Sequence, residues 1–204
     1  MLRRTFAAVA AVAALAALAP TVALAARVTI RVEGRTQTLF APVPRVVEAA
    51  TPLEALERAS VAGEFYYHVA EASFGRYVDQ IGRYAAGGSS GWVFKVNDAS
   101  PPVGADAVQL KDGDSVLWYH AEFGPAGGPP TLRLAATSRR ARGARCYRVT
   151  AFADAGTGRP ASFATLRVDG RRIRTTRLGV GCPGRHSGLV RATLAGAIRS
   201  NAVR

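Results

Sequence analysis

The sequence predicts an α+β domain followed by an all-β domain. Three observations carry this. One capped helical stretch opens at Thr51 among runs that alternate with period 2. Two of those runs, each holding one of the two tryptophans, flank a Pro/Gly-rich crossing between Gly87 and Phe123. Beyond Pro130 short alternating runs recur at regular spacing, and both cysteines lie among them.

The first element is a targeting segment, residues 1–25. Arg3 and Arg4 form a basic start, Phe6 to Leu18 is apolar, Pro20 breaks the run, and Ala23-Leu24-Ala25 fits cleavage between small residues. The apolar run is short for a span, which needs about 20 residues. The expected product is a secreted or envelope-associated protein cleaved near Ala25; an uncleaved anchor is the other reading.

Residues 26–124 form the first predicted domain. Val28, Ile30 and Val32 alternate with Arg27, Thr29 and Arg31, and the chain turns at Glu33-Gly34-Arg35 and returns from Thr36 to Val43. This reads as a hairpin with one buried face. Thr51-Pro52-Leu53-Glu54 supplies an N-cap, Pro at N1 and the acid of a capping box, and Gly63 is the expected stop. Phe65 to Val69 and Phe74 to Ile81 read as strands, the second with Tyr77, Asp79 and Ile81 on one phase. Trp92, Phe94 and Val96 then alternate with Val93, Lys95 and Asn97, and Val116, Trp118 and His120 with Leu117, Tyr119 and Ala121. Asp112-Gly113-Asp114 between them is a turn signature. A hairpin, one helix and further strands predict a β-grasp, ubiquitin-like arrangement.

Residues 125–130 read as a Pro/Gly linker, and 131–204 as a small basic β-sandwich. Cys146 and Cys182, in an exported chain, predict one disulfide that joins nonadjacent strands or pins a loop. Closing that loop is worth about 4 kcal/mol in the chain-entropy model. The formal net charge is +13, with sixteen arginines against Asp154 and Asp169 after Pro130. Such a field favours anionic partners, namely a wall polymer, a lipid surface or the acidic first half of the chain itself; GC-rich coding accounts for the same excess, and no nucleic acid is expected.

Few residues carry chemistry. Gly87-Gly88-Ser89-Ser90-Gly91 matches G-x-S-x-G, but a nucleophile elbow needs a strand before it and a helix after it. Ser89 with His120 is the one pair a hydrolase reading could use. His68, His120 and His186 stand alone, without the spacing of metal ligands. Asp112 and Asp114 lack the further acids of a calcium loop. No catalytic residue and no metal site are expected. The aromatic residues are the ligand-facing candidates, because Trp and Tyr pair a stacking face with a polar tip. Trp92, Asn97, Tyr119 and Tyr66 are the expected ligand-binding residues, with Trp92, Phe94, Val116 and Trp118 under the helix as the structural alternative.

The first domain resembles the transcobalamin-like C-terminal domain family, the β-domain of transcobalamin and intrinsic factor that also occurs in bacterial surface proteins. The matching stretches are Val28 to Val32, Leu53 to Leu56, Phe74 to Val78, Gly91-Trp92-Val93-Phe94-Lys95-Val96-Asn97, and Leu110 to Tyr119 around Asp112-Gly113-Asp114. The second is similar to bacterial Ig-like modules through Thr165-Leu166-Arg167-Val168-Asp169-Gly170 and the tail Gly196 to Asn201. The resemblance implies cobalamin as the ligand of the full-length carriers, where a helical barrel supplies the other half of the site. This chain has no such barrel, and Asp98 stands where the family has Gly, so no cofactor is expected for the chain alone. The expectation is a non-enzymatic binding or interaction protein of the cell envelope or extracellular space. The alternative is a corrinoid half-site completed by a partner chain.

Overall fold

The computed structural model describes residues 25–73, 75–125 and 127–204. The predicted targeting segment lies outside them, apart from Ala25. The described residues are mostly strand, with a single helix. In the first half, β1 (Ala26–Glu33) and β2 (Thr38–Ala49) precede α1 (Pro52–Gly63). After it come β3 (Tyr67–Ala72), β4 (Gly75–Ile81), β5 (Tyr84–Ala85), β6 (Ser90–Val96) and β7 (Ser115–Glu122). One sheet runs β2-β1-β7-β6, with β1 parallel to β7 at its centre, and a smaller sheet runs β3-β4-β5.

The second half holds β8 (Thr131–Ala141), β9 (Ala144–Phe152), β10 (Gly158–Pro160), β11 (Thr165–Val168) and β12 (Arg171–Arg174). β13 (Val180–Gly181), β14 (Val190–Thr193) and β15 (Ala202–Val203) follow. They make two four-stranded sheets, β10-β9-β13 with β8 on β9, and β12-β11-β14-β15. Leu132, Leu134, Val149, Leu166 and Val190 belong to the core they share.

Local chemistry explains the elements. The Thr51 hydroxyl accepts from Glu54 N at 3.2 Å, closing the first turn of α1. The Glu54 carboxylate reaches one residue further back than a capping box requires and accepts from Ala50 N at 2.8 Å. Gly63 is the last helical residue rather than the stop; Glu64 takes the left-handed position at φ 51° and donates to Ser60 O. Leu56, Ala55 and Ala59 are fully buried against the sheet, where Val28, Ile30 and Val32 face them.

Three expectations need correction. The strand expected from Phe65 begins at Tyr67. Tyr77, Asp79 and Ile81 do not share a phase: Val69 pairs with Val78 and His68 with Gln80, so Asp79 is an extra residue and Val78 and Ile81 both turn inward. The disulfide forms between Cys146 and Cys182 and takes the second of its two expected forms, pinning a loop: Gly181 pairs with Tyr147, and Cys182 lies just past the strand. It fastens the segment after β13 to β9. Finally, Arg31 and Lys95 sit on the face expected to be polar, yet both are buried, because the second half covers that face.

The cover is held by charge. Glu33, fully buried, accepts from Arg31 at 2.7 Å and from Arg191 on one oxygen, and from Thr38 at 2.9 Å and Arg199 at 3.1 Å on the other. Arg199 also donates to Gly34 O at 2.6 Å. Lys95, equally buried, donates to Phe152 O at 3.0 Å and Ala153 O at 2.9 Å, with Asp154 at 3.4 Å. Arg133 pairs with Asp98. Every buried side-chain nitrogen and oxygen among the described residues finds a partner, which is the condition under which buried ions are tolerated. No helix among the described residues is long and apolar enough to cross a membrane.

Candidate functional site

A cleft of about 730 Å³ opens beside β6. Trp92, Val93 and Phe94 of β6 form one wall, Arg76 to Val78 of β4 another, and the loop from Ser100 to Ala105 a third. Trp118, Tyr119, Phe123 and Asp154 complete it, so the second half contributes one carboxylate.

The register of β6 on β7 decides what this wall offers. Asn97 N donates to Ser115 O at 2.9 Å, and Phe123 N donates to Ser89 O at 2.7 Å. Both belong to one unbroken antiparallel ladder in which Val93 faces Tyr119 and Lys95 faces Leu117. Hydrogen-bonded pairs alternate along such a ladder. Residues 91, 93 and 95 therefore bond β7, and residues 90, 92, 94 and 96 aim their N–H and C=O away from it. Ser90 spends its outward groups on Gly87, and Val96 on Ala99. Trp92 and Phe94 keep theirs directed into the cleft.

The cleft has an apolar body and a polar end. Phe94 lies 5.2 Å from the Trp118 ring, and the Trp118 indole N–H donates to Pro52 O at 3.0 Å, fixing both under the start of α1. Trp92 instead packs under β5: its indole N–H donates to Tyr84 O at 2.8 Å, and the His120 ring stands edge-on at 5.4 Å. At the polar end Tyr119 is buried beneath the second half, with the Lys95 ammonium 6.0 Å from its ring. Burial, with the Asp154 carboxylate nearby, pushes the Tyr119 phenol far above its ordinary range. Burial lowers Lys95, and Asp154 opposes that shift.

Of the four expected ligand-binding residues, Trp92 and Tyr119 line the cleft and Asn97 and Tyr66 do not. Asn97 is engaged in the turn, donating to Asp114 at 2.7 Å and accepting from Ser115 N at 3.0 Å. Tyr66 is 59% exposed in the loop before β3. Phe123, Asp154 and the loop from Ser100 to Ala105 escaped the sequence reading; Ser-Pro-Pro at 100–102 was the only signal that a stiff wall stood there.

Ser89 precedes β6 in a tight turn with Gly88 at φ 58°, and no helix follows. His120 Nε2 lies 3.2 Å from Ala85 O, and His68 Nδ1 2.7 Å from Asp79. His186 Nε2 lies 2.8 Å from the Tyr147 hydroxyl. Asp112 accepts from Arg27 N at 2.7 Å and Asp114 from Lys111 N at 2.8 Å, so both carboxylates brace the turn. Among the described residues no group of His, Cys, Asp and Glu is arranged to hold a metal ion.

Residues 51–122 match the model of a family described as Domain of unknown function (DUF4430), a span from the cap of α1 to the end of β7. None of the curated proteins matches the chain. Among solved structures, a crystal structure of a candidate metal binding protein from Ruminococcus gnavus is similar at 17% identity and a TM-score of 0.37, covering 48% of this chain and 97% of that one.

Proposed function

We propose that the chain is an exported, non-enzymatic binding protein whose ligand is an extended peptide segment added along β6. The observation that carries this reading is the pair of outward backbone groups at Trp92 and Phe94, set in an aromatic cleft. An exposed strand edge is a template for main-chain pairing, and neighbouring pockets then select side chains. Pro101, Pro102 and Val103 give the facing wall an apolar surface with little rotamer freedom to lose. The strand order β2-β1-β7-β6, parallel at its centre and crossed by one helix, supports a β-grasp reading of the first half. The paired sheets of the second half support an Ig-like one. Its place would be the envelope or extracellular space, and it would use no cofactor.

The test uses the two tryptophans, both of which line the cleft. Protein purified from an exporting host is extracted, and the masses of whatever stays bound are measured. A peptide that elutes and on re-addition shifts tryptophan emission supports the reading. A corrinoid in the extract would replace it with the half-site reading. No eluted peptide, with no emission change against an extended-peptide library, would overturn it.

A further inference from the structure

The second half carries far more arginine than its own fold uses. Arg133, Arg171, Arg191 and Arg199 pair with carboxylates. The two acids of this half are engaged: Asp154 with Lys95, and Asp169 with Ser187 N at 3.2 Å and Gly188 N at 3.0 Å. The register of the sheet β12-β11-β14-β15 shows where part of the surplus goes. Arg167 of β11 stands directly opposite Arg172 of β12 on one side and Arg191 of β14 on the other. Leu166 and Val168 point into the core, so this rung leaves the sheet on the other side, where Arg167 and Arg172 are exposed and Arg191 turns into the seam with the first half. The adjacent outward rung is Arg174, Thr165 and Thr193.

Like charges directly opposite in a sheet repel, and no carboxylate among the described residues offsets the outer two. Among the described residues no carboxylate pairs with Arg167, Arg172 or Arg174, and all three are exposed. Arg191, at the inner end, is held rigidly: its Nε donates to Ser200 O at 2.9 Å and its guanidinium binds Glu33. The face is thus a cationic grid of Arg167, Arg172 and Arg174, bounded on the β14 side by Arg191, whose guanidinium is taken by Glu33. Its spacing is about 4.8 Å across strands and about 6–7 Å along them.

We propose that this outer face of β12, β11 and β14 binds a linear polyanion of the exported compartment, a polymer bearing phosphate or carboxylate groups at short regular intervals. Guanidinium groups donate two parallel bonds to such oxygens, and the Thr165 and Thr193 hydroxyls add further donors. The grid sets hydroxyls rather than large apolar side chains beside its arginines, so it offers nothing to an acyl layer. That favours a soluble polymer over a lipid surface. The site is separate from the β6 cleft and stands or falls independently of it.

The experiment is a binding titration of the full chain with short-chain linear polyphosphate at physiological ionic strength. Two triple variants of equal charge loss are compared: Arg167→Ala, Arg172→Ala, Arg174→Ala on the face, and Arg139→Ala, Arg140→Ala, Arg142→Ala at the β8–β9 turn. The face variant is expected to lose about tenfold or more in affinity and to show a shallower salt dependence, since fewer charges are neutralised. The turn variant is expected to lose less than about threefold, as charge at a distance is screened. Equal losses in both variants would reduce the effect to net charge and overturn the proposal. So would no binding by the wild type, or sedimentation only with phosphatidylglycerol-containing vesicles. Because a face variant could lose affinity by unfolding, polyphosphate is also added during thermal melts of each protein. A raised midpoint in the wild type and the turn variant, but not in the face variant, supports the site.

Discussion

Glu33 is the residue on which the two halves meet. Its carboxylate is fully buried and accepts from Thr38 and from three guanidinium groups, two of which come from the second half. Glu33→Gln would leave those cations facing one another without compensation. Breaking a buried network in this way costs about 3–5 kcal/mol, and a urea denaturation curve read by tryptophan emission measures it. Tyr119 gives a prediction in pH. Its folded phenol is raised above its ordinary 10.0 by burial. Below that value the phenol is protonated in both states; above it the unfolded chain gives up its proton first, so stability falls as pH rises. Tyr119→Phe should flatten that alkaline loss in stability measured from pH 9 upward. Lys95 acts in the opposite sense, since burial lowers it from 10.5: between its folded value and 10.5 the unfolded chain holds more protons, and stability climbs with pH. Trp92 and Tyr119 could be read from the chain because aromatic residues at period 2 stand out locally. Glu33 could not, since Arg191 and Arg199 lie more than 150 positions away and no local pattern announces such a partner.

Among elements, α1 was the most legible because its signals are local. Thr51, Pro52 and Glu54 lie within one turn; Thr51 caps and Pro52 opens the first turn, while Glu54 bonds Ala50 N rather than the cap residue's own N–H. Thr51→Ala should cost about 1 kcal/mol, seen as a lower midpoint with an unchanged m-value. The end of α1 was less legible: Gly63 suits a left-handed position, but Glu64 occupies it. Gly63 is needed for space instead, since an added Cβ would sit 2.6 Å from the Phe40 ring. The bulge at Asp79 was invisible because a single extra residue leaves no mark on composition. The disulfide was predictable as a pair, but which of its two expected forms it takes was not, since β13 is too short to be recognised. Replacing both cysteines with alanine should lower stability by about 2–4 kcal/mol, detectable as a matching loss when the wild type is melted under reducing conditions.

At the scale of the molecule, the second half serves as the missing layer of the first. The sheet β2-β1-β7-β6 has α1 on one face and β8, β9 and the Ile198–Asn201 segment on the other. This explains why period-2 logic found the strands and misjudged one of their faces: a sheet covered on both sides buries Lys95 and Arg31 as well as Val28 and Ile30. Both tryptophans report on the first half, while amide hydrogen exchange in β8 to β15 reports on the second. Tryptophan emission and that exchange, each followed through a urea series, should therefore show one transition in the wild type. In Glu33→Gln they should separate. Coincident transitions in that variant would mean the halves are coupled by something other than the ionic seam.

The open edge of β6 sets a ceiling on what main-chain pairing can contribute. Two residues, each with one donor and one acceptor aimed outward, accommodate at most four bonds. At about 0.5–1.5 kcal/mol net apiece, these amount to about 2–6 kcal/mol, a dissociation constant on the order of tens of micromolar at best. Any tighter complex must take its remaining strength from side chains seated against Trp92, Phe94 and Phe123, so discrimination between one visiting segment and another resides in the aromatic pocket.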